Sequence, residues 1–282
     1  MEIIRNPKIM QDTSRGHLLH SRTIGYVPTM GALHEGHLSL VRVSRAENNI
    51  TVVSIFVNPA QFGPNEDFAN YPRQVESDIE KLRKEDVDIL FLPDNALMYP
   101  EGFSTTVEVR GLSEKMCGRF RPGHFKGVST VVAKLIAVAR PSRSYFGQKD
   151  FQQTVIVRQM VKDLHLDSEI VVCPTIREED GLALSSRNAY LDKTQRIAAT
   201  ALYRCLMKGS SEISSGVRSG ARVREAMNRV LADEPQISAI DYASVYDPAT
   251  LDEVDEIRGE VLLAVAVRMA ATRLIDNILV RA

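Results

Sequence analysis

The sequence predicts an α/β chain, with a doubly wound parallel sheet over residues 1–175 and a second, smaller α+β domain over residues 176–282 that carries an SSR loop. Three observations predict it. Through the first two-thirds, short strand-like runs are apolar throughout and alternate with segments of helical period, the pattern of strands covered on both faces. Beyond residue 176 the order changes to helical segments followed by clustered strand-like runs. The chain has 282 residues, 44% hydrophobic and 25% charged, enough to bury a substantial core. Together these give a Rossmann-like sheet with a small C-terminal companion.

Residues 24–27 read as the first strand and 36–45 as the helix after it. Residues 51–57 (TVVSIFV) are a second strand. In 74–84, Val75, Ile79 and Leu82 recur at helical spacing. Residues 87–92 (VDILFL) form a third strand, stopped by Pro93. A helix over 128–139, a short strand over 144–146, a helix over 151–164 and a strand over 169–173 complete the sheet. The second part reads as a helix over 193–215, a Gly/Ser-rich break (SSGVRSG), a helix over 221–233, and strands over 240–246, 261–268 and 272–278. The Pro/Gly/Asn-rich stretch 56–73 is a long loop, either a lid or a plain connection.

Net charge is −1, so no basic field recruits nucleic acid, and any bound anion must be held by a local site. Cys117, Cys173 and Cys205 lie far apart without a CxxC pair, which argues against a zinc knuckle or a disulfide scaffold and for a reducing cytoplasm. The N-terminus lacks the apolar core of a signal peptide. The most apolar run, VLLAVAV at 261–267, is too short to cross a membrane. The expectation is a soluble cytoplasmic protein that binds neither nucleic acid nor membrane.

His34 and His37 flank Glu35-Gly36 where the first strand turns into the first helix. Three readings compete: a metal pair, ordinary hydrogen-bonded histidines, and a phosphate grip. The i, i+3 spacing departs from the i, i+4 spacing of a helical zinc pair. The position favours phosphate: ligands of open α/β sheets bind at the carboxyl ends of strands, and a helix N-terminus offers backbone N–H groups. Imidazole N–H groups add donors that act more strongly as charge builds on phosphorus.

Other loops have the same character. In FGQKDFQQ (146–153), Gly147 loosens a turn and Lys149 supplies either a phosphate-binding cation or a solvated surface charge. Asp150 suits a helix N-cap as well as a ligand. In DGLALSSRN (180–188), Ser185 and Ser186 bring hydroxyls and Arg187 a guanidinium fork matched to phosphate. After the second strand, Gln61 offers a neutral amide for a hydroxyl or carboxylate. Arg119, Arg121, His124 and Lys126 form the densest basic cluster. No GxSxG, Walker or GxGxxG motif occurs, so direct in-line transfer at phosphorus is expected, without an enzyme nucleophile.

HEGH resembles the HxGH signature of the nucleotidylyltransferase and class I aminoacyl-tRNA synthetase superfamily, and LSSR resembles its KMSKS-type element. The ordered set PTMGALHEGHLSL, FVNPAQF, RPGHFKGVSTVVAKL, FGQKDFQQ and DGLALSSRN is more specific and resembles the pantoate–β-alanine ligase family over residues 26 to about 191. The resemblance implies condensation of (R)-pantoate with β-alanine to pantothenate, AMP and pyrophosphate through a pantoyl adenylate, a step toward coenzyme A. It implies that His34 and His37 contact ATP phosphates, with His37 the usual proton donor, and that Met30 closes over the nucleotide. Gln61 and Gln153 then hold pantoate. Gly147, Gln148, Lys149 and Asp150 form an ATP-binding turn, Ile176 makes a backbone contact to adenine, and Leu184, Ser185, Ser186 and Arg187 form a mobile element.

Two departures matter: both KMSKS lysines are missing, so Lys149 and Arg187 must supply that charge, and Leu184 stands where some relatives carry methionine. Mg2+ should accompany ATP, with Asp78 and Asp150 as candidate ligands beside the phosphates. A homodimer is implied, with TVVSIFV or the segment after it as a contributing surface. The alternatives are a nucleotidylyltransferase acting on a phosphorylated acceptor and a non-catalytic nucleotide-binding module.

Overall fold

The computed structural model describes residues 1–64 and 66–282. The elements, in chain order, are β1 (Glu2–Ile4), α1 (Pro7–Leu19), β2 (Ile24–Thr29), α2 (Glu35–Glu47), β3 (Ile50–Ile55), α3 (Val75–Lys84), β4 (Ile89–Phe91), α4 (Asn95–Met98), α5 (Cys117–Phe120), α6 (His124–Ala139), β5 (Arg143–Gly147), α7 (Phe151–Asp163), β6 (Glu169–Cys173), α8 (Lys193–Ala198), α9 (Ala201–Ser214), α10 (Gly220–Ala232), β7 (Ala239–Tyr246), β8 (Glu260–Met269) and β9 (Thr272–Arg281). They divide into two compact units: Met1–Glu114 with Arg121–Gly147 and Gln153–Pro174, and Lys115–Phe120 with Gln148–Gln152 and Thr175–Ala282.

The first unit holds a parallel sheet of six strands in the order β1-β4-β3-β2-β5-β6. The expected doubly wound architecture is therefore present. Alternate strand residues explain the continuous apolar runs. Val27, Val53 and Leu90 pack with Leu40 and Val41 of α2 and Leu82 of α3, while their neighbours Tyr26, Val52 and Ile89, projecting to the other face, are buried as well. The strand order reverses between β2 and β5, which makes the carboxyl ends of those strands the topological switch point.

Four elements lie outside the sequence reading: β1, α1 and the single-turn helices α4 and α5. β1 has three residues and pairs only with β4 at the sheet edge. α1 begins with a cap that was legible: Asn6 Oδ1 accepts the N–H groups of Lys8 and Ile9 at 2.8 and 3.3 Å, and Pro7 follows directly. One expectation is corrected. TVVSIFV cannot form a dimer surface, because β3 is an interior strand, hydrogen-bonded on both sides and buried at every residue.

The second unit is an antiparallel β7-β8-β9 sheet. Val261, Leu263, Val265 and Val267 of β8 share a core with Leu202 and Leu206 of α9 and Val223, Met227 and Leu231 of α10. The single helix expected over 193–215 is divided at Ala199-Thr200. There the Thr200 hydroxyl donates to the Ile197 carbonyl at 2.8 Å, a local bond that competes with helix continuation.

Candidate active site

In the first unit, the HEGH turn explains its own spacing. His34 is the N-cap of α2, and its Nδ1 accepts the Gly36 N–H at 3.2 Å. Three residues on, His37 Nδ1 accepts the His34 N–H at 3.3 Å. This is a capping box built from two imidazoles, with ring centroids 4.1 Å apart. An Nδ1 that accepts carries no proton, so each neutral ring holds its N–H on Nε2. Both side chains are half-buried at the end of a strand beside the switch point. Among the described residues no group of three or more His, Cys, Asp and Glu side chains is placed to hold a metal.

The turn before His34 is strained and clamped. Gly31 and Ala32 both have positive φ, 84° and 50°. Glycine takes this conformation freely, alanine at a cost of about 1–2 kcal/mol. Asp78 of α3 holds it: its carboxylate accepts the Ala32 and Leu33 N–H groups, each at 2.8 Å. Lys81 donates to the Leu33 carbonyl at 2.7 Å and lies 3.8 Å from Asp78. Burial pushes the Asp78 carboxyl up, against the N–H groups of Leu33 and Ala32 and the Lys81 charge. The expectation of Asp78 as a metal ligand is corrected by this geometry: each carboxylate oxygen is turned to a backbone N–H.

Gln61 ends a 3-10 turn, Pro59–Gln61, after β3. Its Oε1 accepts from Asn58 Nδ2 at 3.0 Å, and its Nε2 donates to Met30 Sδ at 3.2 Å. Asn58 is fixed in turn by the Tyr99 hydroxyl, which donates to Asn58 Oδ1 at 2.6 Å. Burial raises the Tyr99 hydroxyl to about 12, so it stays a donor at neutral pH. The turn lies hard against α6. A Cβ on Gly127 would sit 2.1 Å from the Ala60 carbonyl oxygen and 2.6 Å from the Gln61 nitrogen, so only glycine permits this approach. Asn58, Tyr99, Asp78 and Gly127 were missed as supports; of these, Asn58 in the NP turn after β3 had a readable signal.

The basic cluster is divided. Arg121 and His124 belong to the first unit and Arg119 to the second. His124 Nδ1 donates to the Gln61 carbonyl at 2.8 Å, and Arg121 pairs through Nε with Glu66 at 2.6 Å. Burial raises the Glu66 carboxyl, but the hydrogen bonds and charge of Arg121 outweigh it and carry it down to about 2. The 56–73 segment is further pinned by Phe62 against Phe68 and Tyr71, centroids 5.4 and 6.0 Å apart. Residue 65 of this segment lies outside the described residues.

Gly147 ends β5, and Gln153 is half-buried in the first turn of α7. Gln148, Lys149 and Asp150 form a 3-10 turn that belongs to the second unit, with Asp150 exposed. In that unit a hairpin brings Ile176 and Leu184 together: the Leu184 N–H donates to the Ile176 carbonyl at 3.0 Å, next to the Arg177–Ala183 bridge. Ser185 then caps the turn Ser186–Tyr190, its hydroxyl accepting the Arg187 N–H at 3.3 Å. Ile176, Leu184, Ser185, Ser186 and Arg187 thus come from one continuous hairpin and its cap.

The family model described as "Pantoate-beta-alanine ligase" matches residues 2–279. The chain belongs to that family. A pantothenate synthetase from Thermodesulfovibrio yellowstonii is 54% identical over 280 residues, covering 99% of this chain and 100% of the relative. The crystal structure of pantothenate synthetase from Thermus thermophilus superposes with a TM-score of 0.93 at 43% identity, covering 99% of each chain. Another family member, the pantoate-beta-alanine ligase from Francisella tularensis complexed with Beta-gamma ATP and Beta-alanine, has a TM-score of 0.79 at 36% identity, covering 99% of this chain and 97% of its own.

Proposed function

We propose that the chain joins pantoate to β-alanine at the expense of ATP, giving pantothenate, AMP and pyrophosphate. The observation that carries this reading is the pair of imidazoles fixed as Nε2–H donors at the N-terminus of α2, in a chain of this family. The ligands of the Francisella tularensis relative support ATP and β-alanine as substrates.

A pantoate carboxylate oxygen attacks the α-phosphorus of ATP, and the bond from that phosphorus to the pyrophosphate oxygen breaks. The amine of β-alanine then attacks the acyl carbon of the adenylate, the bond to AMP breaks, and the amine proton is released. No covalent bond to the enzyme is needed, so catalysis rests on positioning and on charge stabilisation. We assign His34 and His37 to phosphate oxygens, Lys149 and Arg187 to the same charge, and Gln61 and Gln153 to pantoate and β-alanine. Met30, Gly147, Gln148, Asp150, Ile176, Leu184, Ser185 and Ser186 complete the nucleotide contacts.

Mg2+ accompanies ATP in this proposal. With Asp78 committed to backbone N–H groups, the exposed carboxylate of Asp150 beside Lys149 is the protein group that suits it. Such a donor set fits an ion held chiefly by triphosphate oxygens and water. When bound, it offsets the charge on the departing pyrophosphate. We place the protein in the cytoplasm as a homodimer; its three buried free thiols suit a reducing compartment, and among the described residues no helix is long and apolar enough to cross a membrane. Light scattering at micromolar concentration tests the dimer.

The test of function is incubation with ATP, Mg2+ and pantoate, with and without β-alanine, followed by mass spectrometry. Pantothenate and AMP in equal amounts, formed only when both acids are present, is the expected result. ADP and orthophosphate as products, or no amide, would reject the reading.

A further inference from the structure

Two of the segments assigned above to ATP, the turn 148–150 and the hairpin 176–187, are held by one dipeptide of β9. The hairpin has its own closing bonds, from the Leu184 N–H to the Ile176 carbonyl and across the Arg177–Ala183 bridge, but both segments also take support from far along the chain. Lys149 and Gln148 lie in a three-residue turn, and Ile176 follows directly on Pro174-Thr175. The support comes from Asp276 and Asn277, each 3% exposed.

Asn277 Nδ2 donates to the Gln148 carbonyl at 3.0 Å and to the Lys149 carbonyl at 2.9 Å. Only the amide nitrogen of an asparagine can satisfy two carbonyls, so the orientation of this side chain is fixed by its partners. Asp276 makes a bidentate pair with Arg177, Oδ2 to Nη1 at 2.6 Å and Oδ1 to Nη2 at 3.0 Å. Arg177 then closes its own hairpin, donating to the Gly181 carbonyl at 3.0 Å with its guanidinium carbon 4.5 Å from the Tyr203 ring centroid. It also donates to the Asn277 carbonyl at 3.3 Å. Arg177 is the residue after Ile176 and bridges to Ala183, the residue before Leu184.

The register of β9 explains how one dipeptide serves two segments. Asp276 and Asn277 pair with Val265 and Ala264 of β8 without a bulge. Successive strand residues project to opposite faces, so the dipeptide reaches one segment from each side of the sheet. Burying a carboxylate and a carboxamide is costly unless their partners are fixed.

We propose that Asn277 and Asp276 are positioning residues of the adenylation step: Asn277 sets the backbone of the Lys149 turn, and Asp276, through Arg177, sets the Ile176–Arg187 hairpin. Neither touches the nucleotide. The inference rests on the assignment of those two segments to ATP. It predicts that damage to the dipeptide falls on nucleotide use and spares β-alanine.

The test measures pantoate-dependent exchange of pyrophosphate into ATP, and separately the reaction of supplied pantoyl adenylate with β-alanine. The variants are Asn277→Asp, which turns an acceptor toward two carbonyls, and Arg177→Lys, which keeps the charge and loses the fork. Each is expected to raise the KM for ATP in exchange by about tenfold, the effect of losing one to two hydrogen bonds, with the KM for β-alanine within about twofold of the parent. Titration calorimetry with ATP should show the same loss of affinity. A variant with lowered unfolding temperature but an unchanged KM for ATP would overturn the proposal and leave a structural role. Should Asn277→Asp fail to fold, Asn277→Ser, which shortens the donor away from the two carbonyls without adding a charge, decides the Asn277 half by the same split, and Arg177→Lys decides the Asp276 half. Absence of exchange in the parent protein would instead reject the functional reading, and so is distinguishable.

Discussion

The HEGH turn and the 148–150 turn are both assigned to ATP phosphates, yet they are held in different ways. The first is shaped mainly by itself: His34 and His37 cap α2 within four residues, and α3 adds Asp78 and Lys81 from outside the turn. The second depends on a side chain about 130 residues away, since Asn277 is separated from Gln148 and Lys149 by 129 and 128 positions. A self-capped turn keeps its donors oriented at little extra cost, because the bonds that orient the rings also satisfy the helix terminus. A remotely held turn can be set only after β9 has joined its sheet, and it is vulnerable to changes far from the site.

The largest break in this comparison should come from His37. His37→Ala removes a phosphate donor and opens the capping box, and turnover should fall by about a hundredfold or more. His37→Glu separates the two roles, because a glutamate at this position can still accept the His34 N–H but has no N–H to donate. If the donor matters most, exchange kinetics of the glutamate variant will be at least as poor as those of alanine, while its thermal stability stays near the parent's. Equal activity of parent and glutamate variant would contradict the assignment.

Asp78, with Lys81 beside it, props the first turn from α3. Asp78→Asn offers a single acceptor to two N–H groups and should destabilise the protein by about 1–3 kcal/mol in urea unfolding. It should also relax the strained φ of Ala32 and lower exchange activity. Unchanged stability would mean that the clamp is not needed.

Gly127→Ala probes the support of Gln61. The added carbon would lie 2.1 Å from the Ala60 carbonyl, so the turn must shift, and the KM for pantoate should rise more than the KM for ATP. Gly16→Ala, in α1 with nothing within 4 Å, is the control and should stabilise by about 1 kcal/mol through helix propensity alone.

The smallest effect concerns pH. Glu66 is held at about 2 in the folded chain, below the ordinary carboxylate value of about 4.3. A depressed carboxyl stabilises the fold fully above its unfolded value, and that contribution is lost as pH falls through the folded one. The stability difference between the parent and Glu66→Gln should therefore be constant down to about pH 5 and close as pH approaches about 2. A difference that does not change with pH would contradict the Glu66–Arg121 pairing.

What was legible in the sequence follows the same division. Continuous apolar runs such as VDILFL announced a sheet covered on both faces, and the position of HEGH after β2 placed it beside the switch point. The i, i+3 spacing argued against a helical zinc pair, but the capping box that explains it was not foreseen, because histidine is not among the usual capping residues. β1 was missed since three edge residues leave no periodic signal. Asp276 and Asn277 read as ordinary polar interruptions of a strand, and nothing in a single sequence links them to residues a hundred positions away. The expectation of Asp78 as a metal ligand failed for that reason: its partners are backbone N–H groups, which sequence does not display.

The central claim is that a carboxylate of pantoate attacks the α-phosphorus of ATP. The most direct measurement supplies pantoate labelled with oxygen-18 in its carboxylate, together with unlabelled ATP and β-alanine, and reads the products by mass spectrometry. The account predicts one labelled oxygen in AMP and one in the amide carbonyl of pantothenate. Unlabelled AMP, or label appearing in orthophosphate, would contradict it.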